Sequence, residues 1–577
     1  MARIGKNSGL EWVLILAIAI AIILRILNLD SREFWYDEVL SLLLSTGQKK
    51  LYVQPSAIPL TLADYKPLLS LPVENGFASI IQTGEKLLKG LVVEPHPPLF
   101  YIGQHLWLRL WGNSVAAMRS LPVLYSVGTI FCVYGWGRKL LGYRGGLLLA
   151  ATLGLNPFFL FHSLNVRMYC GLVFWTVLSG WATLELVYDR HSHSNTLIPK
   201  NNRQIIWSIV LLLSITAGFS TFYYFCFWIA SLGIFVVLLD YIESEETNNQ
   251  RFPNVLLAFL KKKRWQRQAL LSIGGVILTL PWLLWGTRQQ LNNADLGRFK
   301  AGSNALETVW QHTAGVLTTL GVQIITGDWA SILSPTMVNI FGSIAFILMA
   351  ASVIFLWRKQ EDTLLLTAFC FGLLPLCLMV LVDIVTGKFT VGFGFGRSLI
   401  FILPGCLLLL VTVIMKLKNR WQNLTAIALL IFYLGISVTD FSLRSRNMFH
   451  ELAEIIRQQP NTPTLIAMNS KAWGHVLRLV YYLPETAPVA LLAQPTDNLN
   501  PALANVLTNE PQKYQRIIWL DSDRPVWNPP ATEAEKQALH QTLERQFDLT
   551  TETRLTGTWE LDNFGVRVYE PDPDNRN

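Results

Sequence analysis

Apolar residues run along this chain in long blocks. Leu10 to Leu29 is the first, and ten more lie near 115–137, 145–162, 169–188, 204–218, 221–241, 268–286, 336–357, 362–385, 397–415 and 421–440. Most approach the roughly 20 residues that a helix needs to cross a bilayer. The pattern predicts an α-helical polytopic membrane protein with about eleven transmembrane helices. The first block is too long for the core of a signal peptide and is not followed by an A-x-A-like cleavage site, so it reads as a retained anchor. PLFYIGQHLWLRLWG (98–112) is shorter and is interrupted by His105 and Arg109. It predicts an amphipathic helix lying in the interface.

Two further stretches have a different periodicity. In SREFWYDEVLSLLLSTGQ, a helix from Tyr36 would align Asp37, Ser41, Ser45 and Gln48 on one polar stripe, with Val39, Leu40 and Leu42 to Leu44 around it. This predicts a second interfacial helix with its acids in the first turn. Beyond residue 440 the apolar runs shorten and Pro, Asn and Asp become common. TLIAMN, APVALLA and RIIWLDSD read as strands, and MFHELAEIIRQQ and TEAEKQALHQTLERQF as helices. The expected organisation is a membrane domain over 1–440, whose external loop 30–114 carries candidate acids, and a small α/β domain over 441–577.

Charge gives the chain a direction. With the N-terminus inside, RKLLGYR, DRHSHSNTLIPKNNR, ESEETNNQRFPNVLLAFLKKKRWQRQ, RKQED and KLKNR all fall on the cytoplasmic side, and four of the five are net basic. Counting 98–112 as a span would send KKKRWQR outside. The C-terminal domain is therefore expected to be extracytoplasmic, in a multi-pass protein of the cell (inner or plasma) membrane.

Composition agrees. The 577 residues are 51% hydrophobic and 15% charged, with mean hydropathy +0.36. The net charge of +8 is accounted for by these short basic loops, so no nucleic-acid partner is called for. The six cysteines, Cys132, Cys170, Cys226, Cys370, Cys377 and Cys406, lie in apolar blocks without metal-ligand spacing, and they read as small core residues. There is no Walker motif. GFGFGR follows a span rather than a strand and carries no nucleotide reading.

The candidate chemistry gathers at the external ends of the spans. Asp37 and Glu38 follow the first span. Their bland explanation is helix capping and dipole complementation. VVEPHPPLFYIG places Glu94 and His96 before a Pro-Pro pair that rigidifies the chain and opens a helix. Arg119, Arg167 and Arg397 sit at external span ends, against the positive-inside bias. One such arginine would be a snorkelling side chain. Three on one side suggest an anionic lipid headgroup, and phosphate suits guanidinium geometry.

In that order, WYDE, HPPL, MR and RMY, the chain resembles the C-type glycosyltransferases (GT-C fold) over roughly residues 1–190. The similarity is to the protein O-mannosyltransferase-like group and the lipid A aminoarabinose transferase. Arg397 and Pro404 resemble a late motif of these families. The resemblance implies a catalytic base at Asp37, with Glu38 beside it, an acid at Glu94, and arginines holding the phosphate of a polyprenyl-phosphate sugar donor. His96 joins the phosphate set, and Tyr169 is a further candidate. Leu172 stands where related enzymes carry an Asp, which leaves Asp383 and Asp295 as candidates for a third acid.

The expected function is inverting transfer of a sugar from a polyprenyl-phosphate donor to the hydroxyl of an undefined lipid, glycan or protein acceptor outside the cell. The rival readings are a transporter or flippase, and a ligase or polymerase, acting on polyprenyl-linked sugars. Asp37, Glu38, Glu94 and His96 offer atoms for a divalent cation, but in two separate segments, and no ligand spacing calls for a metal or other cofactor.

Overall fold

The computed structural model describes residues 8–571 except 28, 31, 189–199, 246–262, 294–298, 303, 444–445, 484–486, 527 and 559. The chain forms two compact units. The first comprises Met1–Asn28, Leu91–Gly103 and Arg119–Ser442, and the second Leu29–Gly90, Gln104–Met118 and Leu443–Asn577. Most of loop 30–114 folds with the tail.

The first unit is a helical bundle. Among the described residues, eight helices are long and apolar enough to cross a membrane. Two bent pairs, Lys263–Ile277 with Leu280–Asn293 and Asp362–Phe371 with Leu373–Thr386, bring the number to as many as ten. The expected eleven counted 115–137 and 145–162 separately. In the structure they are the two arms of one 41-residue element, Val115–Leu155, broken at Gly142 (φ 77°, ψ −174°) and counted once among the eight. The break is a reversal: a Cβ on Gly137 would lie 2.7 Å from the Gly146 Cα, whereas a straight helix would hold these positions about 13 Å apart. Gly142 supplies the left-handed backbone, and the other two glycines let the arms touch. The segment MARIGKN and most of the basic loops near 189–203 and 243–268 lie outside the described residues.

Small residues bring the helices together around indole rings. Trp136 and Trp228 stack at 6.1 Å with 9° between planes, and Phe371 meets both at 5.0 and 5.1 Å. Trp136 Nε1 donates to the Val177 carbonyl (2.6 Å) and Trp228 Nε1 to Ser179 Oγ (2.8 Å). A Cβ on Gly180 would lie 2.4 Å from Trp136 Cζ2, so only glycine admits that ring. On the outside, Trp12, Leu16, Phe131, Ile347 and Leu381 are all more than half exposed to the surroundings, the surface expected of a bundle solvated by lipid.

The second unit is built on a six-stranded sheet in the order β1-β3-β2-β4-β6-β5. The strands are β1 (Leu60–Thr61), β2 (Thr464–Met468), β3 (Val489–Ala493), β4 (Arg516–Ser522), β5 (Phe547–Leu555) and β6 (Phe564–Pro571). β2 pairs in parallel with β3 and β4, and the other pairings are antiparallel. The three expected strands are β2, β3 and β4. The expected helices are Met448–Arg457 and Glu533–Leu543. On one face Leu465, Ala467, Ile517, Trp519 and Tyr569 form a core with Leu499, Leu503, Leu539 and Leu543 of the helices Thr496–Asn509 and Glu533–Leu543. On the other lies the helix Trp473–Tyr482, whose His475 meets Phe564 at 5.2 Å.

The two helices expected in the interface are also packed against protein. In Tyr36–Ser45 every residue except Asp37 is buried by protein. Leu99–Trp111 is 13 residues long, and its polar residues are occupied: His105 Nδ1 lies 2.7 Å from the Ser45 carbonyl oxygen, and Arg109 forms a two-pronged pair with Glu74 at 2.6 and 2.8 Å.

His475 makes the second unit sensitive to acid. Burial, reinforced by the Arg478 charge, pulls its imidazole down to about 3, against an unfolded value of about 6.5. Below pH 6.5 the unfolded chain takes up a proton that the folded one refuses, so stability falls as pH drops. By pH 5 the loss is about 2 kcal/mol. Burial pushes the Glu33 carboxyl up, and that group acts in the opposite sense. His475→Gln removes the first effect and leaves the second. Amide-exchange protection of β2 and β4, compared at pH 7 and pH 5, is expected to fall more in wild type than in the variant. Equal falls would show that His475 does not set this dependence.

Candidate functional site

Three segments of the first unit converge. The first is the His-Pro-Pro stretch. Pro97 and Pro98 have no N–H to donate, so the carbonyls carry the fixation. Gln290 Nε2 donates to the Leu91 and His96 carbonyls, both at 2.9 Å, and the Leu99 N–H donates to the Ser220 carbonyl at 3.0 Å. The His96 ring lies 5.5 Å from Phe222. Gln290 is itself held, since its Oε1 accepts from the Tyr223 hydroxyl at 2.6 Å.

The second segment follows the short helix Pro157–Ser163, capped by Asn156 Oδ1 accepting from the Phe159 N–H at 3.0 Å. The chain turns over Leu164 to Met168 and presents Arg167, buried, with its guanidinium 5.9 Å from the Tyr169 ring. Tyr169 then opens the helix Tyr169–Val187.

The third is GKFTVGFGFGR. The helix Leu373–Thr386 ends at Gly387, which is left-handed (φ 61°). Gly392, Gly394, Phe395 and Gly396 also have positive φ, between 55° and 82°. Phe395 pays about 1–3 kcal/mol for that conformation, so the loop must be held from outside. Asp383 does this. Its carboxylate accepts from the Thr390 N–H (2.7 Å), the Thr390 hydroxyl (2.8 Å) and the Val391 N–H (3.0 Å). His312 Nε2 meets the Lys388 carbonyl at 3.0 Å, and Gln323 Nε2 the Gly396 carbonyl at 2.9 Å. The result is that Arg397 folds back over Gly394, where a Cβ would lie 2.7 Å from its Nε. The alternating glycines thus serve to aim an arginine.

These segments enclose a cavity of about 430 Å³, lined by Pro95, His96, Arg167, Tyr169, Phe222, Tyr223, Tyr224, Thr287, Gln290, Leu291, Phe299, Lys388, Thr390, Phe393, Arg397 and Ser398. Among the described lining residues there are two arginines, a lysine and a histidine, and no carboxylate. The rest of the wall is largely aromatic. Such a cavity attracts an anion with an apolar body attached. Four of the residues singled out in the sequence, His96, Arg167, Tyr169 and Arg397, therefore share one space. Lys388, Gln290, Tyr223 and Thr390 were missed. The density of glycine after Lys388 was the available signal.

The remaining candidates lie elsewhere. Arg119 is buried in the element Val115–Leu155 and does not line the cavity. Glu94 is half-buried just before the His-Pro-Pro turn. Asp383 is engaged in holding the loop. Asp295 lies outside the described residues. No three His, Cys, Asp or Glu side chains form a metal-binding group among the described residues.

Asp37 and Glu38 belong to the second unit, and the tail defines their surroundings. Glu38 is fully buried, and its Oε2 accepts from the Trp35 N–H at 2.7 Å, so it closes the first turn of its own helix. Asp37 is half-buried. Tyr36 packs on Trp473 (4.6 Å) and His475 (5.2 Å), and a Cβ on Gly474 would lie 2.5 Å from its ring. Arg478 donates to the Phe34 carbonyl at 3.3 Å, stands 5.6 Å from the Tyr36 ring, and pairs with Asp562. Glu33 Oε1 accepts from the His450 N–H at 2.6 Å. The capping explanation thus applies to Glu38.

No protein-family model matches the chain, and no curated protein matches it in sequence. Its structure is similar to that of ArnT from Cupriavidus metallidurans bound to undecaprenyl phosphate, with 11% identity, 97% of this chain and 98% of that chain covered, and a TM-score of 0.51. Weaker likenesses are to the archaeal oligosaccharyltransferase AglB from Archaeoglobus fulgidus (11% identity, 98% and 75% covered, TM-score 0.44) and to the arabinofuranosyltransferase AftD from Mycobacteria (13%, 97% and 41%, 0.37). The chain has the fold of the membrane-embedded C-type glycosyltransferases, with a small α/β sheet domain and up to ten apolar spans among its described residues.

The structural role of Asp383 is open to a direct check. Asp383→Ala removes the acceptor for three donors. Amide exchange at Thr390 and Val391 is expected to accelerate at least about tenfold, the equivalent of about 1.4 kcal/mol of lost protection. Unchanged exchange at both amides would show that the Asp383 carboxylate does not hold the loop.

Proposed function

We propose that the chain is an integral membrane glycosyltransferase that moves a sugar from a polyprenyl-phosphate donor to an acceptor hydroxyl on the extracytoplasmic side. The observation that carries this reading is the cavity with two arginines, a lysine and a histidine and no described carboxylate, walled by aromatic rings. A phosphate at the head of a long apolar chain matches that lining. Support also comes from the fold, since the similar ArnT structure was solved with undecaprenyl phosphate bound. Orientation follows the basic loops, which assign the tail to the extracytoplasmic side.

In this mechanism Arg167, Arg397 and Lys388 hold the donor phosphate, with His96 and Tyr169 beside it. The bond between the anomeric carbon and the phosphate oxygen breaks, its electron pair passes to that oxygen, and polyprenyl phosphate leaves. The cations are most useful as that charge develops. The acceptor oxygen attacks from the opposite side of the sugar, which inverts the anomeric centre, and its proton passes to the Asp37 carboxylate. Glu94 orients the acceptor. Glu38 is assigned to holding the helix turn. Arg119, buried in its helix, supports the bundle that carries Arg167.

Two sets of variants test the reading. Asp37→Asn keeps the shape but cannot accept the proton. It is expected to fold and to bind polyprenyl phosphate like wild type, and to lose at least about 100-fold in transfer rate from a radiolabelled polyprenyl-phosphate sugar. A near-normal rate would remove Asp37 as base; binding of polyprenyl phosphate with no transfer by the wild-type protein would make a lipid carrier the better reading. For the cavity, Arg167→Ala is expected to weaken polyprenyl-phosphate binding about 10- to 100-fold, and Arg167→Lys, which keeps charge but not the planar fork, to restore part of it. Wild-type affinity in the alanine variant would place the phosphate elsewhere.

A further inference from the structure

The second unit carries its own cavity, of about 210 Å³. Its position follows from the winding of the sheet. The parallel strands lie in the order β3-β2-β4, with the first of them in the middle. The connection from β2 to β3 runs through Trp473–Tyr482 on one face, and that from β3 to β4 through Thr496–Asn509 on the other. A sheet wound in both directions opens a crevice at the carboxyl ends of the strands where the direction changes, here those of β2 and β4. The cavity is there: Asn469 follows β2, Trp519 and Asp521 belong to β4, and Asn500 and Lys536 come from the two covering helices.

Its lining has the character of a binding site. Trp519 is 2% exposed, and its indole N–H has no hydrogen-bond partner among the described residues. The same holds for the buried Asn500 Oδ1. The indole face is already covered, with the Arg567 guanidinium 4.6 Å from the ring, so the N–H edge is what remains to be used. Asn469 is fixed by donating to Asp521 Oδ1 at 3.0 Å and accepting from the Ser522 N–H at 2.7 Å. Lys536 Nζ stands 3.5 Å from Asp521 Oδ2. A donor (Trp519), an acceptor (Asn500) and a mixed pair (Asp521 with Lys536) therefore surround a space with Leu499 and Leu539 in its apolar wall.

Groups that both donate and accept suit this mixture, and adjacent hydroxyls are such groups. The acids Asp497, Asp521 and Glu535 outnumber the one lysine in the lining, so phosphate and carboxylate ligands are disfavoured, the reverse of the cavity in the first unit. The volume lies below the roughly 300–1,000 Å³ of drug-sized sites and fits one ring rather than a chain. We propose that this cavity binds a single non-anionic sugar residue, neutral or amino-bearing, through its adjacent hydroxyls. The site stands apart from the transfer reaction, and its occupancy is read without turnover.

The test uses the purified full-length protein in detergent, with saturation-transfer NMR and calorimetry. The probes are methyl α-glucopyranoside, the methyl glycoside of glucosamine, and methyl glucuronoside as the anionic comparison. The first two are expected to bind saturably in the millimolar range, and the glucuronoside at least about tenfold more weakly. Trp519→Phe, which removes the N–H and keeps an aromatic ring, and Asn500→Ala at the cavity wall are each expected to weaken binding about 3- to 10-fold. Arg397→Ala is expected to leave it unchanged. The proposal is overturned if neither neutral nor amino glycoside binds, if the glucuronoside binds equally well, or if binding survives both second-unit variants. Loss of binding in Arg397→Ala would move the sugar to the first unit.

Discussion

The ion pair between Arg478 and Asp562 is the point on which the second unit turns. Both side chains are fully buried. Removing such charges from water costs several kcal/mol each, which only close pairing and further hydrogen bonds recover. Arg478 meets that demand with Asp562, the Gly474 carbonyl at 2.9 Å and the Phe34 carbonyl at 3.3 Å, and it lies 4.7 Å from the Phe449 ring. Its partners thus come from the segment before Asp37, from the first tail helices and from the last turn before β6. The tail, which the sequence offers as an appendage, is what fixes the chain around the proposed base.

A second constraint, of conformation, governs the first unit. Four glycines and Phe395 hold left-handed backbone between 387 and 396. Such a run is stable only when its ends and middle are bound, which is why a carboxylate as deep as Asp383 is spent on backbone N–H groups. The outcome is an arginine turned inward toward Arg167 and Lys388 without a carboxylate among the described lining residues. Cations lining one cavity repel one another, and an anion bound there would relieve that repulsion.

Much of this was legible in the chain because its signals are local. Blocks of about 20 apolar residues announce spans. Arg167 and Arg397 stand out because they flank such blocks on the side that the basic loops predict to be external. The residues that were not legible act through convergence. Gln290 and Tyr223 are ordinary polar residues until Gln290 meets the His96 carbonyl. The sequence raised Asp383 as a missing acid, yet its two oxygens serve a turn seven residues later. Glu38 and Asp37 are adjacent and chemically alike, and it is the bond to the Trp35 N–H and the deeper burial that set Glu38 apart. β1 is two residues long and β5 is mostly exposed, so neither carries the apolar alternation by which a strand is recognised.

The threading of the second unit through the chain sets a timetable for its assembly. Phe34 and Arg478 lie 444 residues apart. At about 5–20 residues per second of synthesis, the segment around Asp37 emerges roughly 20–90 s before the helix that clamps it exists. During that interval the intervening apolar blocks must enter the bilayer, and Tyr36 and Phe34 have none of their tail partners. The sheet closes only when β6 has been made and pairs with β4. On this schedule the unit that holds Asp37 cannot close before Asp562 is made, and a ribosome that stops short of it leaves that segment without the buried pair that clamps it.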